Sequence, residues 1–237
     1  MRALVCLPTY NERENLEPLV RALGDVLPHE SRVLVIDDGS PDGTGELADA
    51  LAADLPYVEV LHRAQKGGLG PAYLAGFRHG LAAGAELLLE MDCDFSHDPR
   101  DVPRLIDATA SADLVIGSRY VPGGSVQNWG LVRRAISRGA SLYTRLLLMP
   151  VSDPTAGFKC YRRAVLERID LDRIHSRGYA FQIETTFRAL RAGFRVLEIP
   201  ISFADREVGG SKMSGAIVLE AAWKVPALRA AAALGRL

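Results

Sequence analysis

The sequence predicts an α/β fold: a single domain with a mostly parallel central sheet flanked by helices. Three observations predict it. Short β-branched or leucine-rich runs recur through the first half, at Leu4 to Leu7, Val33 to Ile36, Val58 to Leu61, Leu87 to Met91 and Leu114 to Ile116. Each is apolar at successive positions, as strands buried on both faces are. Helical patterns long enough for crossovers separate them, and each run ends in a polar or glycine-bearing turn. In a doubly wound sheet such turns gather at the carboxyl ends of the strands, where binding sites form.

The helices between these runs are expected at Glu14 to Val26, Pro41 to Asp54, Leu69 to Ala83 and Pro99 to Ala110. Two carry proline near the first turn, where its missing N–H costs nothing. Past Gly117 come a glycine-rich turn (Pro122, Gly123, Gly124) and an arginine-rich helix from about Leu131 to Met149. Asp153-Pro154-Thr155-Ala156-Gly157, a helix over Tyr179 to Ala192, a strand at Val196 to Ile199, a loop holding Gly209 and Gly210, and a terminal helix from about Met213 complete the chain. At 237 residues and 48% hydrophobic, it can bury a large core in one domain.

A net charge of −1 gives no overall field for nucleic acid, so the clustering of the 28 basic residues matters more than their number. Cys6, Cys93 and Cys160 are far apart and match no zinc or redox spacing, which predicts reduced, structural thiols and a cytoplasmic setting. No signal peptide and no run of about 18 apolar residues is visible, so the chain is not expected to span a membrane. The five histidines form no ligand spacing.

Three turns carry candidate chemistry. Pro8-Thr9-Tyr10-Asn11-Glu12 follows the first strand, and Ile36-Asp37-Asp38-Gly39-Ser40 ends the second. On adjacent parallel strands both open on one crevice, where Tyr10 can face a base while Glu12, Asp37 and Asp38 accept hydrogen bonds from ring nitrogens and ribose hydroxyls. The plain alternative makes Asp37 and Asp38 helix caps and Asn11 an ordinary turn residue. The fourth strand ends in Met91-Asp92-Cys93-Asp94, whose two carboxylates can hold one divalent cation and leave its other positions to phosphate oxygens. Capping of the next helix, near Pro99, is the competing role for that pair. Lys66 with Gly67, Gly68 and Gly70 does not have dinucleotide-motif spacing and is read as a donor-site loop.

These motifs resemble those of family 2 glycosyltransferases of the GT-A fold, and within them the dolichol-phosphate (polyprenyl-phosphate) mannosyltransferases. The matching segments are Pro8 to Glu12, Asp37 to Thr44, Lys66 to Gly70, Met91 to Asp98, Gly117 to Tyr120, Arg133 to Gly139, Asp153 to Phe158, and Asp205-Arg206 through Ser211-Lys212. The resemblance implies a nucleotide-sugar half over 1–117, an acceptor half over 118–212 and a C-terminal helix over 213–237 for membrane or partner contact. It implies that Pro8, Tyr10, Glu12, Ile36, Asp37, Asp38, Lys66, Asp92 and Cys93 bind the donor, and that Asp92 and Asp94 organise Mg²⁺ or Mn²⁺. Cys93 stands where the family commonly has alanine. Ser96, a candidate third ligand, stands where some relatives have a metal-binding glutamine.

By the same resemblance, mannose passes with inversion from GDP-mannose to a polyprenyl monophosphate. A phosphate monoester has a second pKa of about 6, so this nucleophile needs no general base, only positive charge to bring two phosphates together. Arg133 and Ser137 are i, i+4 on one helix and can reach one phosphate, Arg119 leaves the fifth strand into the crevice, and Arg206 and Lys212 flank a glycine loop suited to closing on the donor. With Asp94 these are the candidate catalytic residues. Glu184 is either an acceptor-side carboxylate or part of a polar helix face. Arg134, Arg138 and Arg145 read as solvated or membrane-facing, and the Leu131 to Met149 helix and the Ile217 to Leu237 segment as an interfacial surface at the cytoplasmic face, with a membrane-spanning partner subunit as the other route to the bilayer. A UDP-glucose enzyme acting on the same lipid is the alternative activity, and a non-catalytic sugar-nucleotide-binding subunit a more distant one. An aspartyl-phosphate phosphatase is disfavoured because Gly39 breaks the needed D-x-D spacing at the second strand.

Overall fold

The computed structural model describes residues 2–176, 178–204 and 215–235, with side chains from 223 onward in the last stretch. Its elements run β1 (Ala3–Thr9), α1 (Arg13–Val26), β2 (Arg32–Asp37), α2 (Thr44–Asp54), β3 (Val58–His62), α3 (Leu69–Ala82), β4 (Leu87–Glu90), α4 (Asp101–Ala108) and β5 (Leu114–Ser118). The second half adds β6 (Ser125–Val126), α5 (Leu131–Leu147), β7 (Lys159–Arg162), α6 (Arg163–Arg168), α7 (Gly178–Arg191), β8 (Val196–Pro200), β9 (Ser202–Phe203) and α8 (Gly215–Ala233).

Seven strands form one sheet in the order β3-β2-β1-β4-β7-β5-β8, and β6 pairs with β9 beside it. β1 pairs in parallel with both β2 and β4, so the strand order reverses direction about β1. That switch point opens a crevice at the carboxyl ends of the strands. The register sets Thr9 opposite Asp37, which brings the first two turns side by side.

Alternate residues of each strand feed two cores. Leu4, Cys6, Leu34, Ile36 and Leu88 pack under α3, α7 and α8, while Val5, Leu7, Val35 and Leu89 pack under α1, α2 and α4. All three cysteines are free and buried, as expected for structural thiols. Burial is the main cause raising each thiol's pKa, so they stay neutral.

Two expectations are corrected. α2 begins at Thr44 rather than Pro41, because the Asp42 carboxylate accepts the Thr44 N–H at 3.0 Å and Gly43 adopts a left-handed φ of 85°, making 40–43 a turn. α4 begins at Asp101 rather than Pro99. β7 was not visible as a strand: Lys159 and Arg162 hide its pattern, yet it lies antiparallel between β4 and β5 with Lys159 fully buried.

Close contact between α3 and the sheet depends on Gly80, where an added Cβ would lie 2.6 Å from a Leu88 methyl and 2.7 Å from a Leu4 methyl. Gly80→Ala therefore sets a favourable helix propensity against overpacking. We expect overpacking to win by about 1–3 kcal/mol, lowering the urea midpoint of unfolding without changing its slope.

Candidate active site

The turn after β2 spends its carboxylates on its own architecture. Asp37 accepts hydrogen bonds from the Ser40 N–H at 3.1 Å, the Ser40 hydroxyl at 2.5 Å and the Thr9 hydroxyl at 3.3 Å. Asp38 is paired with Arg63 and accepts the Gly67 and Gly68 N–H groups at 3.0 and 3.3 Å. Neither caps α2. Asp38 thereby tethers the Lys66 loop to the turn after β2, and the Lys66 ammonium sits 3.7 Å from the Tyr10 ring centroid. Glu12 precedes α1, donates its N–H to the Thr44 hydroxyl at 3.1 Å and accepts the Asn15 side-chain amide at 3.0 Å. Pro8 lies within β1, opposite Ile36. The Ile36 side chain is fully buried in the core, so only its backbone borders the turn.

Beyond β4, the Asp94 Oδ1 accepts both the N–H of Ser96, at 3.0 Å, and its hydroxyl. Ser96 thus holds Asp94 in place. The Tyr73 hydroxyl of α3 reaches Asp92 at 3.4 Å, and the Asp92 N–H approaches His97 Nδ1 at 3.4 Å. Asp98, not Asp92 or Asp94, accepts the Arg100 N–H before α4. Cys93 is buried among carboxylates: desolvation first, then the charges of Glu12, Asp94 and Asp92, push its thiol up. Among the described residues no group of three or more His, Cys, Asp or Glu side chains could hold a metal ion. Asp92 and Asp94 offer two hard oxygen donors, which fits Mg²⁺ or Mn²⁺ completing its shell with phosphate and water oxygens.

Arg119 follows β5, as expected, but its charge is matched. Its guanidinium makes a bidentate pair with Asp153, at 2.7 and 2.6 Å, and reaches the Thr155 hydroxyl at 3.0 Å. Burial works to lower the Arg119 pKa, and the charge and hydrogen bonds of Asp153 outweigh it, so the group stays charged. Glu198 of β8 in turn accepts the N–H groups of Ser152 and Asp153 at 2.8 and 2.9 Å. On α5, Arg133 lies over the Trp129 ring at 4.2 Å, and Ser137 accepts the Tyr120 hydroxyl at 2.6 Å. Arg206 and Lys212 lie outside the described residues. Glu184 is neither on a polar face nor in the crevice: it is buried, paired with Arg188 at 2.8 Å and bonded by the Ser176 hydroxyl.

A cleft brings Asp92, Arg119 and Arg133 together with Trp129, Tyr179 and Gln182. The last three were not read from the sequence. A more open depression lined by Arg2, Arg32 and Glu59 lies at the amino ends of the strands, away from every motif.

Residues 4–170 match the family described as Glycosyl transferase family 2. The chain belongs to that family. The glycosyltransferase is 55% identical to an undecaprenyl-phosphate mannosyltransferase of Micrococcus luteus over 93% of this chain and 91% of that protein. It is 55% identical to a polyprenol monophosphomannose synthase of Mycolicibacterium smegmatis over 94% and 85% of the two chains. A dolichol-phosphate mannosyltransferase of Pyrococcus furiosus is 37% identical over 93% of this chain, which spans 61% of that relative. The resemblance read from the motifs is borne out. The fold of glucosyl-3-phosphoglycerate synthase from Mycobacterium tuberculosis superposes with a TM-score of 0.73 at 19% identity, covering 97% of this chain and 80% of that one. The GT-A fold expected of the glycosyltransferase is thereby established.

A further buried pair lies directly behind Asp92. Glu90 and Lys159 are cross-strand partners on β4 and β7, both fully buried. Burial raises the Glu90 pKa to about 7 against the pull of Lys159, and burial lowers that of Lys159 to about 8 against the pull of Glu90. The Lys159 ammonium donates to the Gln182 carbonyl of α7 at 2.8 Å, and the Tyr161 hydroxyl to Glu90 at 3.0 Å. No spacing rule pointed to Lys159, because buried lysines are rare.

Removing one partner from a buried ion pair costs about 3–5 kcal/mol, since the other charge stays behind unpaired. Asp153→Ala in the glycosyltransferase is expected to lose that much stability in urea unfolding. The double variant Arg119→Met with Asp153→Leu is expected to recover most of it.

Proposed function

We propose that this glycosyltransferase transfers mannose from GDP-mannose to a polyprenyl monophosphate with inversion, using a divalent cation. The observation that carries the reading is 55% identity over more than nine-tenths of the chain to two proteins whose names join mannose to a polyprenyl phosphate. The paired carboxylates support the donor side: a cation at Asp92 and Asp94 supplies charge neutralisation of the departing diphosphate. Tyr10, Lys66, Glu12, Asp37 and Asp38 border the place for the nucleoside, the two aspartates also shaping their own turn. Pro8, the Ile36 backbone and Cys93 complete its walls. The phosphate oxygen of the lipid attacks the anomeric carbon in line, and its own ionisation removes the need for a base. Arg133 and Ser137 orient that phosphate, while Arg119 keeps the crevice wall rigid. Arg206 and Lys212 add positive charge over the donor.

The outer face of α5 supports contact with a bilayer. Leu131, Val132 and Leu146 are 81%, 73% and 72% exposed on the same helix as Arg134, Arg138 and Arg145, and Trp223 of α8 is 75% exposed. Among the described residues no helix is long and apolar enough to cross a membrane. Apolar groups flanked by arginines fit an interfacial helix lying against anionic headgroups.

Incubation of the purified protein with polyprenyl phosphate and labelled GDP-mannose or UDP-glucose tests the activity. Mannosyl lipid is expected from the first donor alone, with a loss of about 100-fold or more in Asp94→Ala or in chelator, the scale of removing a group that neutralises transition-state charge. Glucosyl lipid, or turnover unaffected by chelator, would overturn the reading. In flotation with anionic vesicles, Leu131→Asp with Leu146→Asp is expected to leave the protein in the aqueous fraction while the unaltered chain floats. Equal flotation of both would remove α5 from the membrane face.

A further inference from the structure

Gln182 is 1% exposed, and neither its amide nitrogen nor its amide oxygen completes a hydrogen bond among the described residues. The amide acts on the Glu90 carboxyl as a hydrogen-bond donor that helps hold its pKa down, though the contact falls short of full hydrogen-bond geometry and leaves Glu90 Oε2 without a completed bond. A buried carboxamide with both ends unmade is costly, and native proteins rarely keep one unless something else satisfies it. Its position tells what that is. Gln182 lines the cleft that holds Asp92, Arg119 and Arg133.

The space beside the amide is kept open by Gly157. A Cβ built there would have one neighbour within 4 Å, the Gln182 amide nitrogen at 3.7 Å, an ordinary contact. Gly157 is not in the left-handed region, so neither backbone conformation nor protein packing requires glycine at this point. What a methyl group would occupy is cleft volume over the amide.

We propose that the Gln182 carboxamide, uncovered by Gly157, reads a hydroxyl of the hexose being transferred and is a specificity-determining residue of the enzyme. This rests on the nucleotide-sugar reading above. The chemistry selects the hexose among the groups that enter such a cleft. A carboxamide presents a donor and an acceptor in one plane, the complement of a hydroxyl that both accepts and donates. Phosphates near neutral pH chiefly accept, and a polyprenyl tail does neither. The hexose also has the right place: it is attached to the diphosphate that Asp92 and Asp94 would hold, on the side away from the Tyr10 turn.

The test compares binding of GDP-mannose with binding of GDP by calorimetry, with Mg²⁺ present, in the unaltered chain, Gln182→Met and Gly157→Ala. Both variants are expected to bind GDP within about twofold of the unaltered chain and to bind GDP-mannose roughly tenfold more weakly, the scale of one lost hydrogen bond. Of the four monodeoxy GDP-mannose analogues (2-, 3-, 4- and 6-deoxy), one should bind the unaltered chain about tenfold more weakly than GDP-mannose and show no such deficit in Gln182→Met. A purely structural amide that pairs with Glu90 would instead lower the melting temperature of Gln182→Met and leave the sugar-dependent difference intact, which would overturn the proposal. So would equal weakening of GDP and GDP-mannose, or no weakening in Gly157→Ala. Should Gln182→Met fail to fold, Gly157→Ala decides, since its methyl meets only the amide. Should the unaltered chain bind UDP-glucose and not GDP-mannose, the proposed donor falls, and the same comparison made with UDP and UDP-glucose scores Gln182 separately.

Discussion

The buried pair of Arg119 and Asp153 fixes the shape on which the rest of the site depends. It joins the end of β5 to the loop before β7, and Glu198 on β8 fastens the same loop through two backbone N–H groups. The cleft wall is therefore tied across three strands by hydrogen bonds that exclude water. Two charges taken out of water cost several kcal/mol each, and only near-ideal geometry repays this. A bidentate contact below 3 Å provides it, with Thr155 taking a further guanidinium N–H. Such a pair adds little net stability but strongly disfavours other arrangements of the wall. The guanidinium also lies within 5.5 Å of the Tyr120, Trp129 and Phe203 ring centroids, so aromatic packing follows from where the charge is pinned.

The acidic residues of the crevice divide into two kinds by what their oxygens already touch. Asp37 and Asp38 are satisfied by Ser40, Thr9, Arg63 and the Gly67 and Gly68 N–H groups, so their work is to shape two turns and join them. Asp92 and Asp94 belong to a turn anchored by Tyr73 and Ser96, and they are the carboxylates at the cleft end of β4. A motif of two adjacent aspartates and a motif of two alternating ones look alike in sequence as clusters of negative charge. Their surroundings differ: the adjacent pair joins two turns, and the alternating pair sits at the end of β4 beside Tyr73 and Ser96.

The fold was legible because its information is local. Runs such as Leu4 to Leu7 and Val33 to Ile36 are apolar on both faces, and the helices between them keep an amphipathic period. β7 was not legible, because its four residues include Lys159 and Arg162, whose burial depends on partners distant in sequence, Gln182 and Thr109. The same reason explains the site. Asp92, Asp94 and Tyr10 could be named from turns that follow strands, whereas Gln182 and the matched charge of Arg119 depend on pairings that only the folded chain creates. Sequence placed Arg119 just after the fifth strand, but not its pairing with Asp153, which lies 34 residues away.

Charge balance links these features to the proposed reaction. With Arg119 matched by Asp153, the described cationic groups that this balance sets on the positive side are Arg133, over Trp129, and Lys66, over Tyr10. Against them stand Asp92, Asp94 and Glu12, all close enough to the Cys93 thiol to act on it. On the proposed reading, a donor diphosphate entering that field meets more negative than positive charge among the described residues. At about 4 Å and an effective dielectric near 20, each unmatched like-charge pair costs roughly 4 kcal/mol. Arg133 and Lys66 alone do not offset several such pairs; on the proposed reading, a cation held by Asp92 and Asp94 would supply the missing positive charge. On that reading the paired carboxylates would make donor binding conditional on the cation. It would also account for the acids that line a crevice proposed to receive phosphates.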